Sequence, residues 1–437
     1  MSSHWGFDLL FCSVVCEGMG VLQRVSKIRG QRGRIVLEKD FVHHGAVPMT
    51  SAIAILKHFP TVRKPQTNFL AQMLLAWSAC LGRRNALNLH RHGAPHPRTQ
   101  ARWYDRSFDF SSFNTKLIEK EGQPQDEWIV AIDATFVKKS GKETCGLDQF
   151  WNGSRHCVEK GLEASVMAFV NVTENKCYAL HVEQTLRCEE KTSVELFADQ
   201  ISSNVKSIQS KTKYVVGDTY YSNETIINQC KKLGLHFIGK CRKDIQIFDL
   251  PPERKIGQRG RPKKYGESLP INQFKIWGQK IKEEESIEIY SKIVISKSWD
   301  SLIRLVVCYD KIKDSKKLFF STDLNLKEES IIKYYRARFQ VEFLIRDAKQ
   351  HTGFQDAQMR ENEGLEFHWN MSMLVLNIYK TETDQFGKTY FSAESCKKKC
   401  YNKMILIRFS RHLGLDLDCP KIRSYIDSNI EYGLRAA

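Results

Sequence analysis

At 437 residues the chain has room for about two to four structural units, and 42% hydrophobic residues argue against global disorder. Its 67 Lys+Arg against 50 Asp+Glu give a formal net charge of +17, which points to a polyanionic partner, most simply nucleic acid. The 13 cysteines form no C-x-x-C pair, and no run is apolar enough for a membrane span. A disulfide scaffold and a membrane protein are therefore excluded, and the thiols read as reduced in a cytoplasmic protein.

Residues 1–48 do not read as the start of a domain. A short apolar patch is followed by Arg24, Lys27, Arg29, Arg32 and Arg34. A tail, a DNA-contacting arm and upstream sequence translated from a misplaced start are all open, and the last is favoured because Met49 is an equally good beginning. Residues 49–118 have helical apolar spacing, broken near Gly82. A second helical run begins near Thr99 and brings Arg98, Arg102, Trp103 and Arg106 together. This is either a helix-turn-helix that contacts DNA or a helical cap. His90, His92 and His96 fall in the breaker-rich loop between the runs and read as loop polarity rather than metal ligands.

Residues 119–240 change period. Strands are predicted at 127–138, 160–172 and 177–183, with a Gly-rich polar loop between the first two. A helix over 193–208, a strand over 213–218, a helix over 223–233 and a strand over 235–239 follow. Together they describe a mixed α/β sheet with helices on its faces. Residues 241–316 read as an inserted β-rich subdomain, with strands at 273–277, 287–296 and 302–309. Residues 317–380 return to the core through a strand at 318–321, and 381–437 form a helical tail.

Two of the core strands carry a single aspartate. Asp133 lies midway along VAIDATF and Asp218 closes YVVGD. A carboxylate in so apolar a strand is unfavourable unless it is paired or holds a cation, although a strand-end aspartate also caps loops. The third acid stands on a predicted helix over 325–353, opened by Asn325 with Glu328 as a capping box and stopped by Gly353. On that helix Tyr335, Arg338, Glu342 and Lys349 share an arc of roughly 60°, with Ile332, Phe339 and Phe343 as an apolar stripe beside them. Three carboxylates with open water positions suit two Mg²⁺ ions, and the cations around them suit a phosphodiester backbone.

Tyr335, Arg338, Glu342 and Lys349 match, spacing for spacing, the Y-x2-R-x3-E-x6-K signature of DDE transposases of the insertion sequence family four type, which the chain resembles over residues 49–380. The resemblance implies an RNase H-like core with a β-rich insertion and a helical N-terminal DNA-binding region. It implies an enzyme that cleaves the ends of its own mobile element and joins the freed 3′-hydroxyls to target DNA. Asp133, Asp218 and Glu342 would be the catalytic metal ligands for two Mg²⁺ ions, with Mn²⁺ as a substitute. Tyr335, Arg338 and Lys349 would contact the DNA backbone. The partners implied are double-stranded DNA, as terminal inverted repeats and as target, and a second copy of the chain in a synaptic homodimer. A nucleoid-associated location follows. A catalytically silent DNA-binding derivative and a nuclease without strand transfer remain alternative readings.

Two further features are weighed with that resemblance. Arg259, Arg261, Lys263 and Lys264 form an extended basic loop suited to a narrow minor groove, or else a solvated one. Trp277 and Trp299 are candidates for stacking on a flipped base, although a buried core role is the commoner one.

Overall fold

The sequence WIVAIDATFVK is the centre of the molecule. Eleven residues rich in β-branched and aromatic side chains make β1 (Trp128–Lys138) in the computed structural model, which describes residues 49–187, 190–253, 261–383 and 391–434. Among the described residues five helices precede it: α1 (Thr50–Lys57), α2 (Lys64–Ala79), α3 (Ala86–Arg91), α4 (Pro97–Tyr104) and α5 (Phe110–Leu117). After β1 come β2 (Asp148–Asn152), β3 (Cys157–Asn171), β4 (Lys176–Gln184), α6 (Ser193–Ser203), α7 (Val205–Gln209), β5 (Tyr214–Val216), α8 (Glu224–Lys232) and β6 (His236–Lys240). A capping box of Thr192 and Glu195 opens α6, and Asn223 caps α8 by accepting from Ile226 N–H.

The chain continues through β7 (Ile247–Phe248), a single turn α9 (Phe274–Trp277), β8 (Gln279–Glu283), β9 (Ile287–Ser296), β10 (Ser301–Asp310) and β11 (Ser315–Ser321). Then come α10 (Glu328–Ala337), α11 (Phe339–Asp347), α12 (Asn362–Thr383), α13 (Ala393–His412) and α14 (Pro420–Asn429). The predicted strand at 273–277 is helical: Trp277 donates its indole N–H to Pro270 O, which closes a turn there.

All strands among the described residues join one sheet, in the order β2-β3-β1-β5-β6-β11-β10-β9-β7, with β4 added on β3 and β8 on β9. β1, β5 and β6 run parallel, while β3, β4 and β11 run antiparallel to their neighbours. The segment 241–316 does not build a sheet of its own. Its strands extend the central sheet through the antiparallel pairing of β11 with β6. Backbone groups on the free edge of β6 are satisfied that way, a pairing that local periodicity does not encode.

Both faces of the sheet are covered. Ile129, Ala131 and Val166 pack under the helices α1–α5 and α10–α14, and Val130, Ile132 and Met167 pack against α6 and α8. Trp299 is buried against Phe320, with ring centroids 4.4 Å apart, so its role is in the core. Among the described residues no helix is long and apolar enough to cross a membrane.

Gly161 stands where β3 passes from pairing with β2 to pairing with β1. A methyl group there would meet the Phe136 ring and come within 2.7 Å of Val137 O. Gly161→Ala is expected to destabilise the protein by about 1–3 kcal/mol through overpacking, read by thermal denaturation. A melting temperature equal to wild type would show that this strand crossing has slack.

Candidate active site

The register of the parallel strands sets the first two acids side by side. Val130 and Ala131 of β1 face Val215 and Val216 of β5. Two residues further on, each strand reaches its aspartate, Asp133 and Asp218, on the sheet face shared with Ala131 and Val216. Asp133 Oδ1 accepts from Ala134 N–H at 3.0 Å. Asp218 Oδ1 accepts from Tyr220 N–H at 2.8 Å, so this acid does shape the turn after β5, but its Oδ2 makes no hydrogen bond among the described residues.

The third acid arrives on the helices that cover this face. The predicted run 325–353 stays helical from Glu328, but not as drawn from sequence. Lys327 is the N-cap and makes no side-chain capping bond, so the Asn325–Glu328 box does not form. Instead Asp323 accepts from Asn325 N–H, and Glu328 pairs with Arg304 at 2.6 Å. The last turn widens to a π-helix, Ala348–Thr352, before Gly353 ends it at φ 79°. Three buried bonds hold that end. Trp77 donates to Thr352 O, His368 Nε2 contacts Gly353 O, and the Thr352 and Ser372 hydroxyls bond each other, each at 2.8 Å.

Arg338, at the joint of α10 and α11, draws two of the acids together, Asp133 and Glu342. Its side chain is only 7% exposed, and its guanidinium donates to Glu342 Oε1 at 2.7 Å and Asp133 Oδ2 at 3.3 Å. Burial pushes the Asp133 carboxyl up to about 6; Arg338 opposes that rise, and the charges of Asp218 and Glu342 add to it. Burial works against the Arg338 charge too, but Asp133 and Glu342 outweigh it and raise its pKa. Burial raises the Tyr335 phenol, with Asp218 and Glu342 adding and Arg338 opposing. All three acids, Arg338 and Tyr335 thus share one electrostatic environment. With the guanidinium between them, no three acids, imidazoles or thiols close into a cation cage among the described residues.

The family described as the transposase DDE domain matches residues 124–378, more than half of the chain and the stretch that carries this site. The chain belongs to that family. No curated protein matches it. Membership supports a transposase function and implies DNA as a partner, and DDE transposase domains generally use divalent metals.

Other predicted residues of the DDE domain lie differently. Lys349 does not point outward: its ammonium donates to Phe136 O on β1 at 2.8 Å, and burial drives its pKa down to about 8. Ile332 is buried, but Phe339 and Phe343 are 48% and 46% exposed and lie under the Arg338 and Arg346 guanidinium groups, so the apolar stripe is half solvent-facing. Arg261 and Lys263 are exposed, and Lys264 pairs with Asp300 at 2.7 Å. Their loop adjoins β7, six strands from β1 and on the order of 30 Å away, so they do not join the acids. Arg259 lies outside the described residues.

Arg98 and Arg102 are exposed along α4, while Arg106 lies over the Trp103 ring. His90 bonds Ala94 O and His92 accepts from Leu81 N–H, which makes them loop braces. Sequence reasoning missed Tyr221. Its hydroxyl is buried without a hydrogen-bond partner among the described residues, and its phenol pKa is raised by burial first, then by Asp133 and Asp218. Its place three residues after Asp218 was the only signal. The brace of Trp77 on Thr352 and His368 on Gly353 was missed as well, since the partners are 275 and 15 residues apart and share no motif.

Proposed function

We propose that the protein cleaves the ends of its own mobile element and joins the freed 3′-hydroxyls to target DNA, as a transposase of the insertion sequence family four type. The reading rests on one observation: the strand register sets two aspartates side by side, and one of them, Asp133, shares a single buried guanidinium with a helix glutamate. The strand order β4-β3-β1-β5-β6, with β1, β5 and β6 parallel, supports an RNase H-like core to which the 241–316 segment is added.

The donor set suits a hard divalent cation. It offers carboxylate oxygens alone, and two of the three acids already share a cationic group. Asp133, Asp218 and Glu342 are the proposed ligands. Bound there, a pair of Mg²⁺ ions, or Mn²⁺ in their place, would activate the attacking oxygen and stabilise the leaving one.

The rest falls to the chain's own side chains. Arg338 must leave its carboxylates to reach a phosphate, with Tyr335 beside it as a second backbone contact. Lys349 first ties the helix to β1 and is the third proposed backbone contact. In cleavage, a water oxygen bonds to phosphorus as the P–O3′ bond breaks, leaving a 3′-hydroxyl and a 5′-phosphate. In joining, that 3′-oxygen attacks a target phosphorus and expels the target's own 3′-oxygen. Duplex DNA and a synaptic homodimer are the proposed partners.

The test incubates purified protein with Mg²⁺, a donor duplex carrying the ends that flank its gene and a supercoiled plasmid. Donor strands joined covalently to plasmid are the expected product. Nicking without joining would reduce the assignment to a nuclease, and neither product would remove it.

A further inference from the structure

β2 and the first residues of β3 make a two-stranded ribbon that runs past the end of β1. β1 ends at Lys138, opposite Gly161, whereas β3 continues outward to Cys157 with only β2 as partner. The ribbon has two unlike faces. Gln149 pairs with Lys160 and Trp151 with Val158, which puts these four on one face. Asp148 and Glu159 belong to the other face, where Asn152 and Arg155 bond Glu159, and Arg187 pairs with Asp148.

The first face carries no carboxylate. Trp151 is 57% exposed and Val158 58%. Lys160 is exposed and makes no ion pair among the described residues. Leaving a tryptophan and a valine in water side by side is unfavourable for a solvated hairpin and ordinary for a contact surface.

This face is also the face of Asp133. Asp133 pairs directly with Val166 of β3, and Val166, Leu162, Lys160 and Val158 alternate on one side of that strand. Val158 lies eight residues from Val166, about 26 Å at roughly 3.3 Å per residue. That span is shorter than one turn of B-DNA, about 34 Å. A duplex held at the acids therefore has the length to reach the ribbon, and a β-ribbon is narrow enough to enter a major groove.

The geometry points to a second contact for duplex DNA on this ribbon, with Trp151 and Val158 against the groove and Lys160 on a phosphate, within one helical turn of the cleavage point. The inference rests on the acids being the cleavage site. A carboxylate-free face beside an isolated ammonium has the charge for the polyanion the family acts on.

The full chain is titrated with a labelled blunt duplex of random sequence across a salt series, and Mg²⁺-dependent plasmid nicking is read on the same preparations. Trp151→Ala is expected to weaken duplex binding by about tenfold and Trp151→Phe to recover most of it. Lys160→Glu is expected to reduce the slope of log affinity against log salt by about one. Wild-type affinity and slope in all three variants would overturn the ribbon contact, even with nicking intact. If wild-type protein does not nick while the variants still lose affinity, the cleavage reading falls and the ribbon contact stands. Should Trp151→Ala fail to fold, Lys160→Glu carries the test, and a wild-type salt slope there overturns the contact.

Discussion

Asp133→Asn and Glu342→Gln each reduce Mg²⁺-dependent DNA cleavage by about a thousandfold or more, with duplex affinity held within about twofold. The amides keep the shape of the acids and remove only their charge. The side-chain oxygen retained at position 133 would still accept from the Ala134 N–H that now bonds Asp133. Arg338 loses one of its two carboxylates in either variant and keeps the other, so the joint of α10 and α11 retains a partner. Glu342 is 44% exposed on its side chain, and its replacement leaves stability within about 0.5 kcal/mol. Cleavage and binding are measured on one preparation with a gel-based nicking assay and fluorescence anisotropy. Wild-type cleavage in both variants would remove these acids from the chemistry.

Arg338→Gln acts in the opposite sense on the metal-free protein. The guanidinium is the one cation hydrogen-bonded to both Asp133 and Glu342 among the described residues, and it is buried. Its loss leaves Asp133 and Glu342 without their shared cation, with Asp133 already desolvated and the charge of Asp218 adding to the repulsion. Breaking a fully buried pair is worth roughly 3–5 kcal/mol; because Glu342 reaches solvent, about 2 kcal/mol is expected here. Thermal denaturation in a chelator reads that loss. Added Mg²⁺ should then stabilise the variant more than the wild type, since no guanidinium competes for the oxygens. An equal Mg²⁺ response in the two proteins would show that Arg338 does not occupy the cation's place.

The two aspartates were legible because each interrupts or closes an apolar strand, and strand alternation fixes which face an odd residue takes. The signature on the covering helix was legible because its spacing repeats at helical period. What surrounds those residues was not. Asn325 had the composition of a cap, yet Asp323 captured its N–H, and the backbone turned helical at Glu328. Phe339 and Phe343 had the spacing of a core stripe, but the rim of the site leaves that arc uncovered. β2 hid in a stretch read as a Gly-rich loop, because five residues alternating between water and core carry little periodic signal. The segment 241–316 looked separable since its strands are local hairpins. Its attachment depends on β11 reaching β6 across the whole insertion.

That late closure has a bearing on synthesis. Until Ser315–Ser321 leaves the ribosome, β6 has β5 on one side and nothing on the other, so its peptide groups stay open along one flank. A nascent or prematurely terminated chain therefore carries a sticky strand border, and it lacks Glu342 as well. Copies that stop short of β11 are therefore expected to aggregate or be degraded more readily than the full chain.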